Sequence, residues 1–142
     1  MVTIKDMIPE IMYAKYGDLC SRYINEKIWA ILVYIEKTLE NKVHVRRPGL
    51  DQRYIRMYGN KDYSIFKDHT YAMACDFDVE GMDSLAVQRW ITKDPIASMM
   101  LRGYGLTGIE DGTSWVHITV ANLAGWNMPE INGIKLIPIP KG

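Results

Sequence analysis

The sequence predicts an α+β domain in which N-terminal helices pack on a small, mostly antiparallel sheet that carries a metal site. Helical spacing dominates roughly the first 40 residues, and strand-like alternation appears only after it. The length of 142 residues suits one domain that can bury a core without disulfide staples. Hydrophobic residues at 48% against charged residues at 24% argue against disorder. No repeat, low-complexity tract or linker divides the chain, so residues 1–142 read as a single domain.

Thr3, followed three residues later by Asp6, marks a helix start, with apolar Ile8, Ile11 and Met12 after it and Gly17 as its stop. Tyr23, Ile24, Ile28, Ile31, Leu32 and Ile35 recur at spacings of three and four. They predict the main core helix over 19–39. Residues 43–46 alternate as a short strand that Pro48-Gly49 ends, and 51–58 read as a short helix or loop. Residues 71–79 (YAMACDFDV) read as a strand and 84–91 as a helix. Asp94-Pro95 interrupts that helix and starts another, since proline suits the first helical position, running to about Met100. Gly103, Gly105 and Gly108 mark loops around a short strand, and 115–120 (WVHITV) form a second clear one. The tail 134–139 fits only an edge strand, because Pro138 and Pro140 cannot donate to a central ladder.

Seventeen basic and 17 acidic residues give zero net charge. That excludes a broad phosphate-binding surface and any gross attraction to anionic membranes, so neither nucleic acid nor membrane is an expected partner. Cys20 and Cys75 sit in apolar stretches and read as free core thiols. The N-terminus lacks a basic segment followed by an apolar run, and the longest apolar stretch (28–34) is too short to span a bilayer. The expectation is a soluble protein made in the cytoplasm, which reaches a cell wall or a virion only if another factor delivers it. Nine tyrosines, four tryptophans and nine methionines read mainly as packing. The Gly103-x-Gly105-x-x-Gly108 spacing neither follows a convincing strand nor opens a helix, so it is no dinucleotide loop.

The chemistry concentrates in 68–78. His69 and Asp76 lie seven residues apart, at a loop-to-strand boundary and late in a strand, and a turn between them would let both reach one ion. His117, central in the WVHITV strand, supplies a third donor on the face shared with Trp115 and Thr119. Two imidazoles and one carboxylate leave a fourth position open, the pattern of a catalytic zinc site.

These residues resemble the metallopeptidase family of D-alanyl-D-alanine carboxypeptidases and dipeptidases and phage L-alanyl-D-glutamate endolysins, whose pattern is SxHxxGxAxD with a later strand histidine. Here it reads Lys67-Asp68-His69-Thr70-Tyr71-Ala72-Met73-Ala74-Cys75-Asp76, with Lys67 for the serine and Ala72 for the first glycine. The later histidine matches His117, and the likeness runs roughly from Val43 to Val120. It implies zinc ligated by His69, Asp76 and His117, and hydrolysis of a peptidoglycan stem peptide. The family places its base three residues before the last histidine, or a second histidine two before it. Those positions are Ser114 and Trp115 here, so the nearest carboxylates, Glu110 and Asp111, become the candidate bases. The family's substrate arginine falls at Arg46 or Arg47, with Arg53 as a second candidate and Trp115 as a flanking substrate contact. Asp78 shares a strand face with Asp76 as an outer partner or a strand-end acid. Loss of the base at Ser114 would instead leave a binding or structural module of the same fold, such as a virion component.

Overall fold

Thr3 caps the first helix, accepting from Asp6 N–H while the Asp6 carboxylate accepts from Thr3 N–H, a reciprocal capping box. In the computed structural model, which describes residues 1–57, 69, 72–121 and 136–138, this helix is α1 (Ile4–Met7). It is shorter than the sequence suggests, because Pro9 lacks the N–H that would continue it. A second helix, α2 (Glu10–Tyr16), restarts after Pro9 and ends at Gly17, whose φ of 54° favours glycine.

The predicted long helix over 19–39 is divided. Gly17–Tyr23 forms a tighter 3₁₀ segment, and α3 spans Glu26–Leu39. Asn25 makes the division, since its extended backbone and side chain, which accepts from Lys27 N–H, form an N-cap inside the apolar pattern. Ile28, Ile31, Leu32 and Ile35 still face the core as the spacing requires.

Strands β1 (Val43–His44), β2 (Ala74–Val79), β3 (Gly108–Glu110), β4 (Val116–Thr119) and β5 (Leu136–Pro138) form one antiparallel sheet in the order β1-β2-β4-β3-β5. The sheet is the antiparallel one the sequence predicts, with β5 at an edge. Helices α4 (Ser84–Lys93) and α5 (Pro95–Gly103) lie between β2 and β3 in the chain, and the Asp94 carboxylate caps α5 through Ile96 and Ala97 N–H. Gly103 ends α5 and Gly108 begins β3, so these glycines border no phosphate loop. Tyr58, Lys67, Asp68, Thr70, Tyr71, Pro140 and the ends of the expected tail strand at 134, 135 and 139 lie outside the described residues.

The sheet has two chemically different faces, as period-two alternation dictates. Cys75, Phe77 and Val79 of β2, Ile109 of β3, and Val116 and Ile118 of β4 join Ile28, Ile31, Leu32 and Ile35 of α3 and Val87 and Ile91 of α4 in one apolar core. Cys20 and Cys75 are both free and buried. Asp76, Asp78, Glu110, His117 and Thr119 occupy the alternate positions, on the other face. Among the described residues no helix is long and apolar enough to cross a membrane.

Candidate metal centre

Asp76 and His117 are direct partners across β2 and β4. The Asp76 N–H points away from β4, donating to the Arg53 carbonyl at 2.8 Å, and Val120 N–H donates to Met73 C=O at 2.8 Å. In an antiparallel ladder this places Asp76 and His117 at a non-hydrogen-bonded pair, where side chains approach most closely. The result is a 2.6 Å contact between His117 Nδ1 and Asp76 Oδ1.

His69 completes the trio from the turn before β2. Ala72 N–H donates to His69 C=O at 3.3 Å, and Ala72 has a φ of 57°, in the left-handed region. This is the turn expected between His69 and Asp76. Glycine would reach this positive φ without the Cβ penalty that Ala72 bears. His69 Nδ1 lies 3.0 Å from the Tyr54 carbonyl. A carbonyl only accepts, so Nδ1 carries the proton and Nε2 presents its lone pair to the site. Nε2 sits 3.3 Å from His117 Nδ1 and 3.4 Å from Asp76 Oδ1. Among the described residues, His69, Asp76 and His117 thus form a group that could hold a metal ion, with one donor atom of each within 4.8 Å of the others.

The electrostatics favour a neutral His69 and an ionised Asp76. Burial pushes the His69 imidazole below its ordinary value, and the Asp76 carboxylate offsets only part of that. Burial alone would raise the Asp76 carboxyl, but the hydrogen bond from His117 and the two imidazoles packed beside it outweigh that and hold it well below the usual carboxylate range. A neutral imidazole and an ionised carboxylate are the forms that ligate metals.

A second carboxylate borders the trio. The register that pairs Gly108 with Thr119 and Ile109 with Ile118 brings Glu110 opposite His117. Glu110 is buried, and its Oε2 lies 3.7 Å from His117 Nδ1. Of the two candidate bases, Glu110 therefore borders the site, whereas Asp111 is exposed on the loop beyond β3.

The arginines divide differently from the sequence expectation. Arg46 pairs with Asp51 at 2.7 Å. Arg53 is buried and pairs with Asp78 at 2.7 Å while donating to the Val45 carbonyl. Arg47, at the surface, shares the same Asp78 carboxylate. These pairs join the segment after β1 to β2 and make Asp78 a structural anchor. The guanidinium that reaches a member of the trio is Arg56, 3.5 Å from Asp76 Oδ2. Sequence reasoning missed it, because the backbone at 53–56 runs beside β2 in no regular element and the spacing to Asp76 carries no motif. Trp115 borders β4, and its indole N–H is buried with no hydrogen-bond partner among the described residues. Ser114 is exposed.

No family model, curated protein or solved structure matches this chain.

Proposed function

We propose that this protein is a zinc-dependent peptidase that hydrolyses peptidoglycan stem peptides, as an endolysin or a carboxypeptidase of the family its His69–Asp76–His117 pattern resembles. The observation that carries the reading is the convergence of two imidazoles and a carboxylate with Glu110 beside them. Two histidines and one carboxylate form a known catalytic zinc set. Zinc bonds of about 2.0–2.1 Å in a tetrahedron imply donor–donor distances of about 3.3–3.4 Å. The two edges at His69 measure 3.3 and 3.4 Å, and the Asp76–His117 edge is shorter at 2.6 Å because a hydrogen bond closes it. Zinc bound there would lower the pKa of a water and polarise a scissile carbonyl.

The chain's own residues supply the rest. Glu110 accepts the proton of the attacking water and passes it to the leaving amine. Arg56 anchors a substrate carboxylate or the developing oxyanion, since a guanidinium has five donors and one 3.5 Å ion pair engages few of them. Among the described residues, four arginines (46, 47, 53 and 56) pair with three aspartates, which favours a peptide bearing carboxylates. Release to the cell wall or carriage in a virion would bring the enzyme to this substrate.

Metal analysis together with digestion of purified peptidoglycan tests the reading. One zinc per chain, with hydrolysis by the wild type and none by His69→Ala, supports the peptidase. A protein that takes up no zinc overturns it. Zinc uptake without hydrolysis supports a binding or virion module, the alternative that Ser114 at the family's base position favours.

A further inference from the structure

A glutamine is buried on α4. Gln88 is 4% exposed, on the helix face that also buries Val87 and Ile91. A buried amide is costly unless its donors and acceptor are satisfied, and an apolar residue would fill this position at lower cost. Among the described residues, the partners of its side-chain amide lie in the loop between β3 and β4. Its Oε1 accepts from Gly112 N–H at 3.1 Å, and its Nε2 donates to the carbonyls of Thr113 at 2.9 Å and Trp115 at 3.0 Å. Thr113 Oγ1 ties the same loop to itself, donating to Trp115 C=O at 2.6 Å.

The loop has one purpose visible in the register, which is to turn the chain from Glu110 to His117. Gly112 follows Glu110 by two residues and Trp115 precedes His117 by two. One side chain of α4 thus ties both ends of the connection between the proposed base and a proposed metal ligand. We propose that Gln88 is a positioning residue that holds Glu110 at its working distance from the metal centre. The role rests on the peptidase reading. It differs from packing because it acts through Glu110.

Gln88→Met keeps the volume and removes every loop hydrogen bond. His69 and Asp76 are held by other elements and His117 by the β4 ladder, so zinc affinity by chelator competition stays within about threefold of wild type. The kcat for peptidoglycan peptides falls about tenfold, within the about 10–100-fold typical for loss of an outer partner, with KM nearly unchanged. In a Glu110→Gln background the same substitution lowers kcat no further. In the metal-free protein, exchange of the Gly112 amide accelerates at least tenfold. Thr113→Val, at the half-buried end of the same clamp, shows smaller changes in the same direction and serves if Gln88→Met fails to fold. The role is overturned if Gln88→Met lowers kcat equally with and without Glu110, or leaves kcat or Gly112 exchange unchanged in an active enzyme. A wild type that binds zinc but hydrolyses nothing overturns the peptidase reading itself, and this role with it.

Discussion

His117 Nδ1 lies 2.6 Å from Asp76 Oδ1 because the two residues face each other at a non-hydrogen-bonded position of the β2–β4 ladder. The proton between them and the lone pair of His69 Nε2 mark the place a cation would take. Substituting Asp76 by Ala therefore lowers zinc affinity by more than the about 10–100-fold that accompanies loss of an outer partner. Competition against a chromophoric chelator measures it, and a change under tenfold would remove Asp76 from the ligand set.

The arginines separate function from structure. Arg56→Ala is expected to reduce kcat/KM by about 100-fold, the scale of losing one charge-assisted contact of about 2–3 kcal/mol. Arg53→Ala instead destabilises the fold by about 3 kcal/mol, because it leaves Asp78 without its buried partner. Urea denaturation and steady-state kinetics on both variants decide it, and the pattern reversed would return the substrate role to Arg53.

Glu110 and Asp111 are neighbours with opposite exposure. Glu110→Gln should lower kcat by about 10²–10⁴, the usual contribution of a general base, whereas Asp111→Asn should leave it within about twofold. Equal losses in the two variants would mean that neither is the base.

Ala72 holds a left-handed backbone at φ 57° in the turn that delivers His69. That conformation costs an L-residue about 1–2 kcal/mol, partly offset by the about 0.5–1 kcal/mol of extra chain entropy that glycine loses on folding. Ala72→Gly is thus expected to stabilise the protein by about 0.5–1 kcal/mol, visible as a higher urea midpoint. A lower midpoint would mean that the methyl group's packing against the core outweighs the strain.

The metal-free protein should lose stability as pH falls. In the unfolded chain His69 gains a proton near its ordinary 6.5, but when folded it does so only at lower pH. The stability tied to neutral His69 is therefore complete above that value and drains below it. Asp76, depressed when folded, contributes above its ordinary 3.8 and loses that contribution as pH falls further. Denaturation profiles of metal-free protein between pH 7 and pH 3 should show His69→Gln flattening the upper part of the decline. An unchanged slope in that variant would assign the decline to other groups.

The parts of this molecule that obey a local period could be read from its sequence. Ile28, Ile31, Leu32 and Ile35 repeat with the helix, and His117 and Thr119 alternate with Val116 and Ile118, so core helix, strand and site face follow. Where one residue overrides a period, the reading failed. Pro9 divides the first helix, and the cap at Asn25 divides the second inside an unbroken apolar stripe. The trio was legible because a turn and two strands set its spacing. Arg56 and Gln88 were not, since Arg56 reaches the trio, and Gln88 the loop beside it, from elements that share no period with them, and only tertiary packing puts them there.

The sheet's borders bear on how the protein behaves at high concentration. β1 contributes two residues at one side and β5 three at the other, and one of those three, Pro138, has no N–H to offer a neighbour. Strand edges with free amides are templates for a second chain, and short, proline-bearing edges deny that template. A sheet finished in this way resists edge-to-edge aggregation.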